Sequence, residues 1–356
     1  MKRINLILFL FLTLIGVHPL LKTSNNYADI IRIATVEEIS AIWDAYHSNR
    51  SPSDMSLSAI NKDKNEPNKA LKDAANIYTV AGNTVTVVNI NDLTLKHTIT
   101  FNNNFKPLFI TQNDDKLLVI GQTNNSTECF IYDKSGFTEY KHFSIEGVYI
   151  AAHLNKDELY LITSKIIGEN KNRPVYAENG VKKTVPLSDI FYVNKTFPDN
   201  YVSIIKTNIY NNKPLKVISY LGLGQIIYFS DENIYIAEEK FSPSPGGSNQ
   251  TIIIKISGKE LVFKNAGIVE GYVLDNRSLS EYNNIIRVVT TTHNEKDGSH
   301  LFVLNSALKI IGKLPDFSPG SEVDAVSFYN DAAYVSTFDV NDPFYVFDLS
   351  NGKAPK

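Results

Sequence analysis

The sequence predicts an all-β fold, a β-propeller of four-stranded antiparallel blades. The first observation is a unit that appears twice between residues 283 and 350, built from short runs rich in β-branched and aromatic residues. Asn, Asp, Gly or Pro bounds each run, as expected for strands joined by tight turns. The second observation is a repeat length of roughly 40 residues, which is typical of propeller blades. The third is composition, because 19 Tyr and 19 Phe favour strands.

The chain begins with the features of an export signal. Lys2 and Arg3 precede an apolar run from Ile4 to Leu21. A positive tip followed by an apolar segment is the pattern of a secretory signal peptide or of an uncleaved membrane anchor, and both alternatives stay open for residues 1–21. We therefore expect a secreted or extracytoplasmic protein. A retained anchor would tether it to the membrane through residues 4–21.

The segment 22–47 predicts a short amphipathic helix. Thr35 and Glu38 fit a capping box, in which the hydroxyl and the carboxylate satisfy free amides at a helix start. Apolar side chains then recur at helical spacing and predict a helix from about Val36 to His47. This helix either docks a partner or packs on the propeller or on a neighbouring copy of the chain.

A polar stretch, residues 48–75, separates this helix from the repeats. Ser, Asn, Lys, Asp and Pro dominate it, so it buries too little apolar area to offset chain entropy and predicts a flexible linker. The meander then recurs six times over residues 76–356, the predicted propeller domain. Most copies have a strand-like run in front, which supplies a fourth, innermost strand. These runs are Pro107–Thr111, Val148–Leu154, Gln225–Phe229 and Val323–Phe328.

The last repeat predicts an incomplete propeller. The sixth meander ends without an outer strand, so we expect about six blades and a truncated C-terminal part. Backbone groups near Phe344–Leu349 would then stay unpaired at a sheet edge, which favours concentration-dependent self-association.

Several runs carry a resemblance to a known family. They are Tyr220–Gly222, Ile227–Ala237, Gly271–Leu274, Ser280–Asn283, Leu301–Leu304, Ser327–Phe338 and Asp342–Ser350. In these runs the chain resembles the family of secreted proteins with a C-terminal β-propeller domain distantly related to WD repeats. The resemblance is strongest from Tyr220 to the end. It implies an extracytoplasmic propeller and brings no established catalytic residues.

One inter-strand loop is a candidate metal site. His293, Glu295, Asp297 and His300 place two imidazoles and two carboxylates within eight residues. Such side chains bind zinc and other divalent ions, although their spacing matches no rigid metal motif. The alternative is an ordinary polar hairpin tip.

A long insertion, residues 166–200, is the candidate ligand site. It separates two strands of one blade, and loops of this length inside compact domains are often functional. Arg173, Tyr176 and Tyr192 are its candidate ligand-binding residues. The alternative is a structural arm that covers a neighbouring blade.

Composition and motifs argue against nucleic-acid binding, internal disulfides and cofactor binding. The net charge of −3 and pI near 6.2 give no basic patch for nucleic acid. Cys129 is the only cysteine, so no internal disulfide forms, and its strand-like surroundings predict a core residue. The chain contains no catalytic triad order, phosphate-binding glycine loop or dinucleotide fingerprint, and we expect no cofactor.

The sequence thus favours a non-catalytic binding or scaffolding module at the cell surface. Its partner would be a surface protein or a polysaccharide. A propeller enzyme, a hydrolase or lyase, is the alternative, because catalytic residues from different blades can meet at one mouth of the central channel without any sequence motif.

Overall fold

A computed structural model of the chain describes most of the sequence. The described residues are 30–47, 69–168, 170–194, 196, 198–222, 224, 226–239, 250–292, 298–338 and 344–356. They begin with strand β1 (Ile30–Arg32) and helix α1 (Val36–His47). The other strands form six consecutive sheets. The predicted all-β fold with antiparallel blades and a short N-terminal helix is confirmed.

Each sheet is one blade, and the blades follow one another in chain order. Blade 1 contains β2 (Ala70–Lys72), β3 (Asn76–Ala81), β4 (Thr84–Asn89) and β5 (Leu95–Thr100). Blade 2 contains β6 (Lys106–Gln112), β7 (Lys116–Gln122), β8 (Ser126–Asp133) and β9 (Thr138–Glu146). Blade 3 begins with β10 (Val148–Asn155) and β11 (Glu158–Ile166). The insertion contributes β12 (Val175–Glu178), β13 (Val181–Thr184) and β14 (Ile190–Val193), after which blade 3 continues with β15 (Asn200–Asn208) and β16 (Lys216–Leu221).

The last three blades repeat this pattern. Blade 4 contains β17 (Ile226–Phe229), β18 (Asn233–Glu239), β19 (Gln250–Ser257) and β20 (Val262–Glu270). Blade 5 contains β21 (Leu279–Tyr282), β22 (Ile285–Thr292), β23 (Gly298–Leu304) and β24 (Ile310–Leu314). Blade 6 contains β25 (Val323–Tyr329), β26 (Ala332–Thr337) and β27 (Phe344–Asp348). Within the described residues, blade 6 is therefore a three-stranded sheet.

Tight hairpins set the register within each blade. Gly82 and Asn83 join β3 to β4, and Gly82 has a φ of +58°, a conformation that glycine adopts without the steric cost of a Cβ. The Asn83 side-chain amide donates to the Phe101 carbonyl at 2.6 Å, which ties the turn to the end of β5. A Gly-Asn pair between two strand-like runs is a typical hairpin signal, and the structure places the hairpin turn there.

The core lies between blades rather than inside them. Five buried apolar clusters each join two consecutive blades. A central strand is therefore covered on both faces, and β19 and β23 are continuous buried runs for this reason. Cys129 is fully buried in the cluster between blades 2 and 3, as predicted.

The first strands of consecutive blades approach one another. Phe109 of β6 stacks on Tyr149 of β10 with ring centroids 6.1 Å apart. His153 of β10 stacks on Phe229 of β17 at 4.9 Å. These contacts place the first strands closest to the propeller axis, where the sequence predicted innermost strands.

The structure corrects the boundary of the predicted linker. Ala70–Lys72, placed in the linker of residues 48–75, form β2 and pair with β3, so blade 1 begins there. Three residues are too short to show an alternating pattern, which is why the sequence did not reveal this strand. Residues 48–68 lie outside the described part, as do residues 1–29.

Helix α1 packs on the propeller. Its start is capped as predicted: the Glu38 amide donates to Thr35 Oγ1 at 3.2 Å, and the Glu38 carboxylate accepts from the Ala34 amide at 2.7 Å. Ile33 and Ile39 are buried in the cluster between blades 2 and 3. In the part of the chain that the structure describes, no helix has the length and apolar character needed to cross a membrane.

Candidate functional site

The insertion is a three-stranded arm shared by two blades. Strand β12 pairs with β9, and β13 pairs with β12, so blade 2 gains two strands at its outer edge. Strand β14 pairs in parallel with β16, and β1 pairs with β14, so blade 3 also gains two. The arm therefore extends onto a neighbouring blade. This is the structural role that the sequence left open as the alternative to a ligand site.

A buried ion pair anchors the first half of the arm. Lys141 of β9 is 2% exposed, and its ammonium lies 3.2 Å from Glu178 Oε1 at the end of β12. The same ammonium donates to Thr207 Oγ1 at 2.9 Å and to the Lys213 carbonyl at 3.3 Å. Through these contacts, Lys141 joins blade 2, the arm and blade 3. Because the ion pair is buried, removing one of its partners should cost about 3–5 kcal/mol.

A second set of contacts holds the base of the arm. Lys165 Nζ lies 2.6 Å from Glu146 Oε2, which also accepts from the Val175 amide at 3.0 Å. Lys171 pairs with Asp44 of α1 at 2.8 Å, and its ammonium lies 4.8 Å from the centroid of the Trp43 ring. The N-terminal helix and the arm thus hold each other on the propeller.

The three candidate ligand-binding residues lie inside this structural arm. Arg173 Nη1 donates to the Val185 carbonyl at 2.9 Å. Tyr176 is on β12 and Tyr192 is on β14, in two different sheets, and both pack against the core between blades 2 and 3. Burial, with Glu178 and Asp189 nearby, raises the pKa of Tyr176. Ligand binding by these residues stays a prediction.

The candidate metal residues are only partly described. His293, Glu295 and Asp297 lie outside the described residues. His300 is buried in β23, where its Nδ1 accepts from the Asp316 amide at 2.9 Å and its Nε2 lies 3.4 Å from Thr292 Oγ1. Over the described ranges, no three His, Cys, Asp or Glu side chains are placed to hold a metal ion.

Ion pairs and hydrogen bonds join consecutive blades at their junctions, and we call each such group of contacts a clasp. Glu281 of blade 5 accepts from Ser230 Oγ at 2.5 Å and from Asn233 Nδ2 at 3.0 Å; Ser230 precedes the first turn of blade 4, and Asn233 begins β18. Lys255 of blade 4 lies 3.2 Å from the same carboxylate. Burial alone would raise the pKa of Glu281, but these hydrogen bonds and the ammonium outweigh it and lower the pKa. The carboxylate is therefore held in its charged form.

A similar clasp joins blades 1 and 2. The Asp73 carboxylate lies 2.6 Å from Lys134 Nζ and accepts from the Tyr78 hydroxyl at 2.8 Å. At the junction of blades 3 and 4, the Tyr160 hydroxyl donates to the Gly258 carbonyl at 3.1 Å.

Sequence reasoning missed these clasps, although the sequence contains a signal for them. The third residue of the second strand is Tyr in four of the six blades, at Tyr78, Tyr160, Tyr235 and Tyr334. An alignment of the six second strands against one another would have shown this position.

The hairpin of β12 and β13 is the most exposed part of the arm. Val181, Lys182, Lys183 and Thr184 are all exposed. Strand β13 is the last strand of its sheet within the described residues, so one side of its backbone faces outward. A rigid base therefore presents a short edge strand with two lysines.

These features define a β-propeller protein whose charged residues join the blades and whose insertion forms an anchored hairpin at the rim. The chain belongs to the family described as Beta propeller domain, whose model matches residues 63–356.

The individual relatives match only parts of the chain. Uncharacterized proteins of Methanocaldococcus jannaschii and Archaeoglobus fulgidus are each 38% identical, over 95 and 107 residues. These matches cover 26% and 30% of this chain, and 15% and 17% of the two relatives, so the chain spans less than a fifth of their length.

Solved propellers are similar at low identity. Hsv2 of Kluyveromyces lactis matches at 9% identity and a TM-score of 0.43, covering 80% of this chain and 73% of that one. The β-propeller domain of the Trilobed protease from Pyrococcus furiosus matches at 13% identity and a TM-score of 0.36, covering 81% and 83%. At these scores, the likeness carries no argument about function.

Proposed function

We propose that this protein is an exported, non-catalytic binding or scaffolding module at the cell surface. The observation that carries the proposal is the hairpin of β12 and β13, whose base is fixed by the buried Lys141–Glu178 pair and whose outer strand is exposed. Pre-organised edges of this kind bind extended segments through backbone hydrogen bonds. The apolar run from Ile4 to Leu21 supports export.

The partner is a surface protein or a polysaccharide. A protein segment would add as a strand to β13, with Lys182 and Lys183 favouring acidic side chains. An acidic polysaccharide would be held by the two ammonium groups alone. Binding to either is expected to weaken as salt rises, because both lysines are exposed to screening.

Cross-linking in intact cells tests export and binding separately. The native Cys129 is buried, so Lys182→Cys gives a single accessible thiol on β13. A membrane-impermeant maleimide carrying a photoreactive group should label this variant on intact cells and, after illumination, give a heavier adduct. Protease treatment of the adduct distinguishes a protein partner from a polysaccharide.

Thr98→Cys, on an exposed position of blade 1, is the matched control and should be labelled without forming an adduct. Absence of label on Lys182→Cys in intact cells would contradict export. Label without any adduct would contradict binding at the hairpin. The alternative, a propeller hydrolase or lyase, instead predicts turnover of a cell-surface polymer that survives disruption of β13.

A further inference from the structure

A polar hairpin tip in blade 2 contains two overlapping acceptor triplets for N-linked glycosylation. Asn124 and Asn125 lie in the tight turn between β7 and β8. Asn124 is followed two residues later by Ser126, and Asn125 is followed two residues later by Thr127. An asparagine two residues before a serine or threonine, with any residue except proline between them, is the acceptor pattern for oligosaccharide transfer to exported proteins.

The hairpin tip is fixed at its base and open at its end. The Thr123 amide donates to the Ser126 carbonyl at 2.8 Å, and the Asn125 carbonyl accepts from the Gly147 amide at 3.0 Å. Both asparagines of the turn are nevertheless exposed. A bulky, hydrated substituent on either side chain would therefore extend into solvent without displacing a strand.

The hydroxyl groups of the two triplets differ in access. A transferase that reads the triplet has to contact its hydroxyl as well as the asparagine amide. Thr127 is fully buried, and its Oγ1 donates to the Gly147 carbonyl at 3.0 Å and lies 3.2 Å from Gln122 Oε1. Ser126 is partly exposed at the start of β8. Of the two triplets in the folded chain, the one that begins at Asn124 therefore offers both groups to an enzyme.

Two further triplets in the described part of the chain, at Asn194 and Asn276, have buried hydroxyl residues. Thr196 and Ser278 are both 0% exposed. The Thr196 hydroxyl donates to a backbone carbonyl at 2.7 Å, and Ser278 ends a short 3₁₀ turn. Among the described triplets, access to the hydroxyl therefore selects Asn124. Two other triplets lie outside the described residues, at Asn49 and Asn249.

We propose that Asn124 is N-glycosylated after the propeller has folded. The inference rests on the export proposed above, because the transferase and its donor, an oligosaccharide joined to a lipid phosphate, act on the outer side of the membrane. In the reaction, the Asn124 amide nitrogen attacks the anomeric carbon of the donor sugar. A C–N bond forms, and the C–O bond to phosphate breaks. The lipid phosphate leaves with the electron pair, and the amide nitrogen loses one proton to a basic group of the transferase.

Mass spectrometry of the full chain, purified from cells that export it, tests the proposal. The tryptic peptide 117–134 contains the two overlapping triplets and no other. In the wild type, this peptide should carry one glycan, on Asn124. Asn124→Gln should lose the glycan completely. Ser126→Ala should lose it as well, although this variant keeps both asparagines and leaves the Asn125 triplet intact.

Asn125→Gln is the matched control, because it removes the second triplet and keeps the first. It should carry the same glycan as the wild type. A glycan that disappears in Asn125→Gln and survives in Ser126→Ala would be attached to Asn125 before Thr127 is buried, and this result would overturn the proposal. Equal occupancy of Asn124 and Asn276 would also overturn it, because access in the folded chain would then select nothing.

Surface labelling separates failure of this proposal from failure of export. Lys182→Cys, labelled on intact cells as described above, reports export in the same culture. Label together with an unmodified peptide 117–134 would overturn the glycosylation and leave export standing. Absence of both label and glycan would overturn both proposals. Far-ultraviolet circular dichroism of the Asn124 and Ser126 variants should match the wild type, because neither residue is buried.

Discussion

The buried His300 imidazole should make the stability of the protein depend on pH. Its Nδ1 accepts a hydrogen bond from the Asp316 amide, which only the neutral ring can do. Burial, reinforced by the Lys313 ammonium, lowers the pKa of His300. The unfolded chain therefore binds a proton at this residue more readily than the folded chain.

Stability should fall as the solution is acidified below the unfolded pKa of about 6.5. The contribution of His300 is complete above that pH and is lost as the pH falls toward the lowered folded pKa. His300→Asn should reduce the difference in unfolding free energy between neutral and mildly acidic pH, measured by urea denaturation. His97→Asn, on β5 of blade 1, controls for loss of an imidazole in general. An unchanged pH dependence in His300→Asn would contradict this account.

Cys129 and Lys141 illustrate which side-chain environments can be predicted from the sequence and which cannot. Cys129 was predicted as a core residue because its neighbours alternate like a strand, and it is buried. Lys141 could not be predicted as a buried lysine, because Glu178 and Thr207 reach it from distant parts of the chain. Local patterns indicate which residues form strands, whereas partners of buried charges depend on which strands become neighbours.

At the scale of elements, α1 is a docked helix rather than a free one. Its buried Ile39 packs on blades 2 and 3, and Lys171 of the arm contacts both Asp44 and Trp43. A helix of twelve residues is marginal in water without such contacts. The helix is therefore stable only while it is docked.

Ile39→Ala should release α1 from the propeller. Truncating a fully buried isoleucine costs about 2–5 kcal/mol. We expect this cost to exceed the free energy that keeps a short helix docked. Trp43 is the only tryptophan, so its fluorescence reports the helix directly and should shift to longer wavelength and become more accessible to quenchers. Val36→Ala, at an exposed position of the same helix, should leave the emission unchanged. If Ile39→Ala kept the wild-type spectrum, the docked arrangement would be wrong.

At the scale of the whole molecule, the blades are stabilised mainly by their neighbours. Each apolar cluster spans one junction, and the clasps at Asp73 and Glu281 lie at junctions as well. Stability in such an array is approximately a sum over neighbouring contacts. A defect at one junction should therefore act mostly on the two blades that meet there.

Lys255→Met tests whether a defect at the junction of blades 4 and 5 acts mostly on those two blades. It leaves the Glu281 carboxylate with little exposure and without its cation, which should cost about 3 kcal/mol. The double variant Lys255→Met/Glu281→Gln should recover part of that loss, because no buried charge is left unpaired. Hydrogen exchange should show lost protection in β17–β24 and little change in β3–β5. A uniform loss across all blades would contradict the nearest-neighbour picture.

The sequence by itself determined most strands of the blades, the six-fold repeat, the capped helix and the length of the insertion. These features follow from side-chain alternation, turn residues and helical spacing, which act over a few residues. Only the tertiary structure decided that β2 belongs to blade 1, that the insertion divides between two blades, and that β1 completes the sheet of blade 3. It also decided which charges meet across the junctions between blades. Strand pairing and contacts between blades join residues far apart in the chain, and the energy of those contacts depends on burial that no local pattern contains.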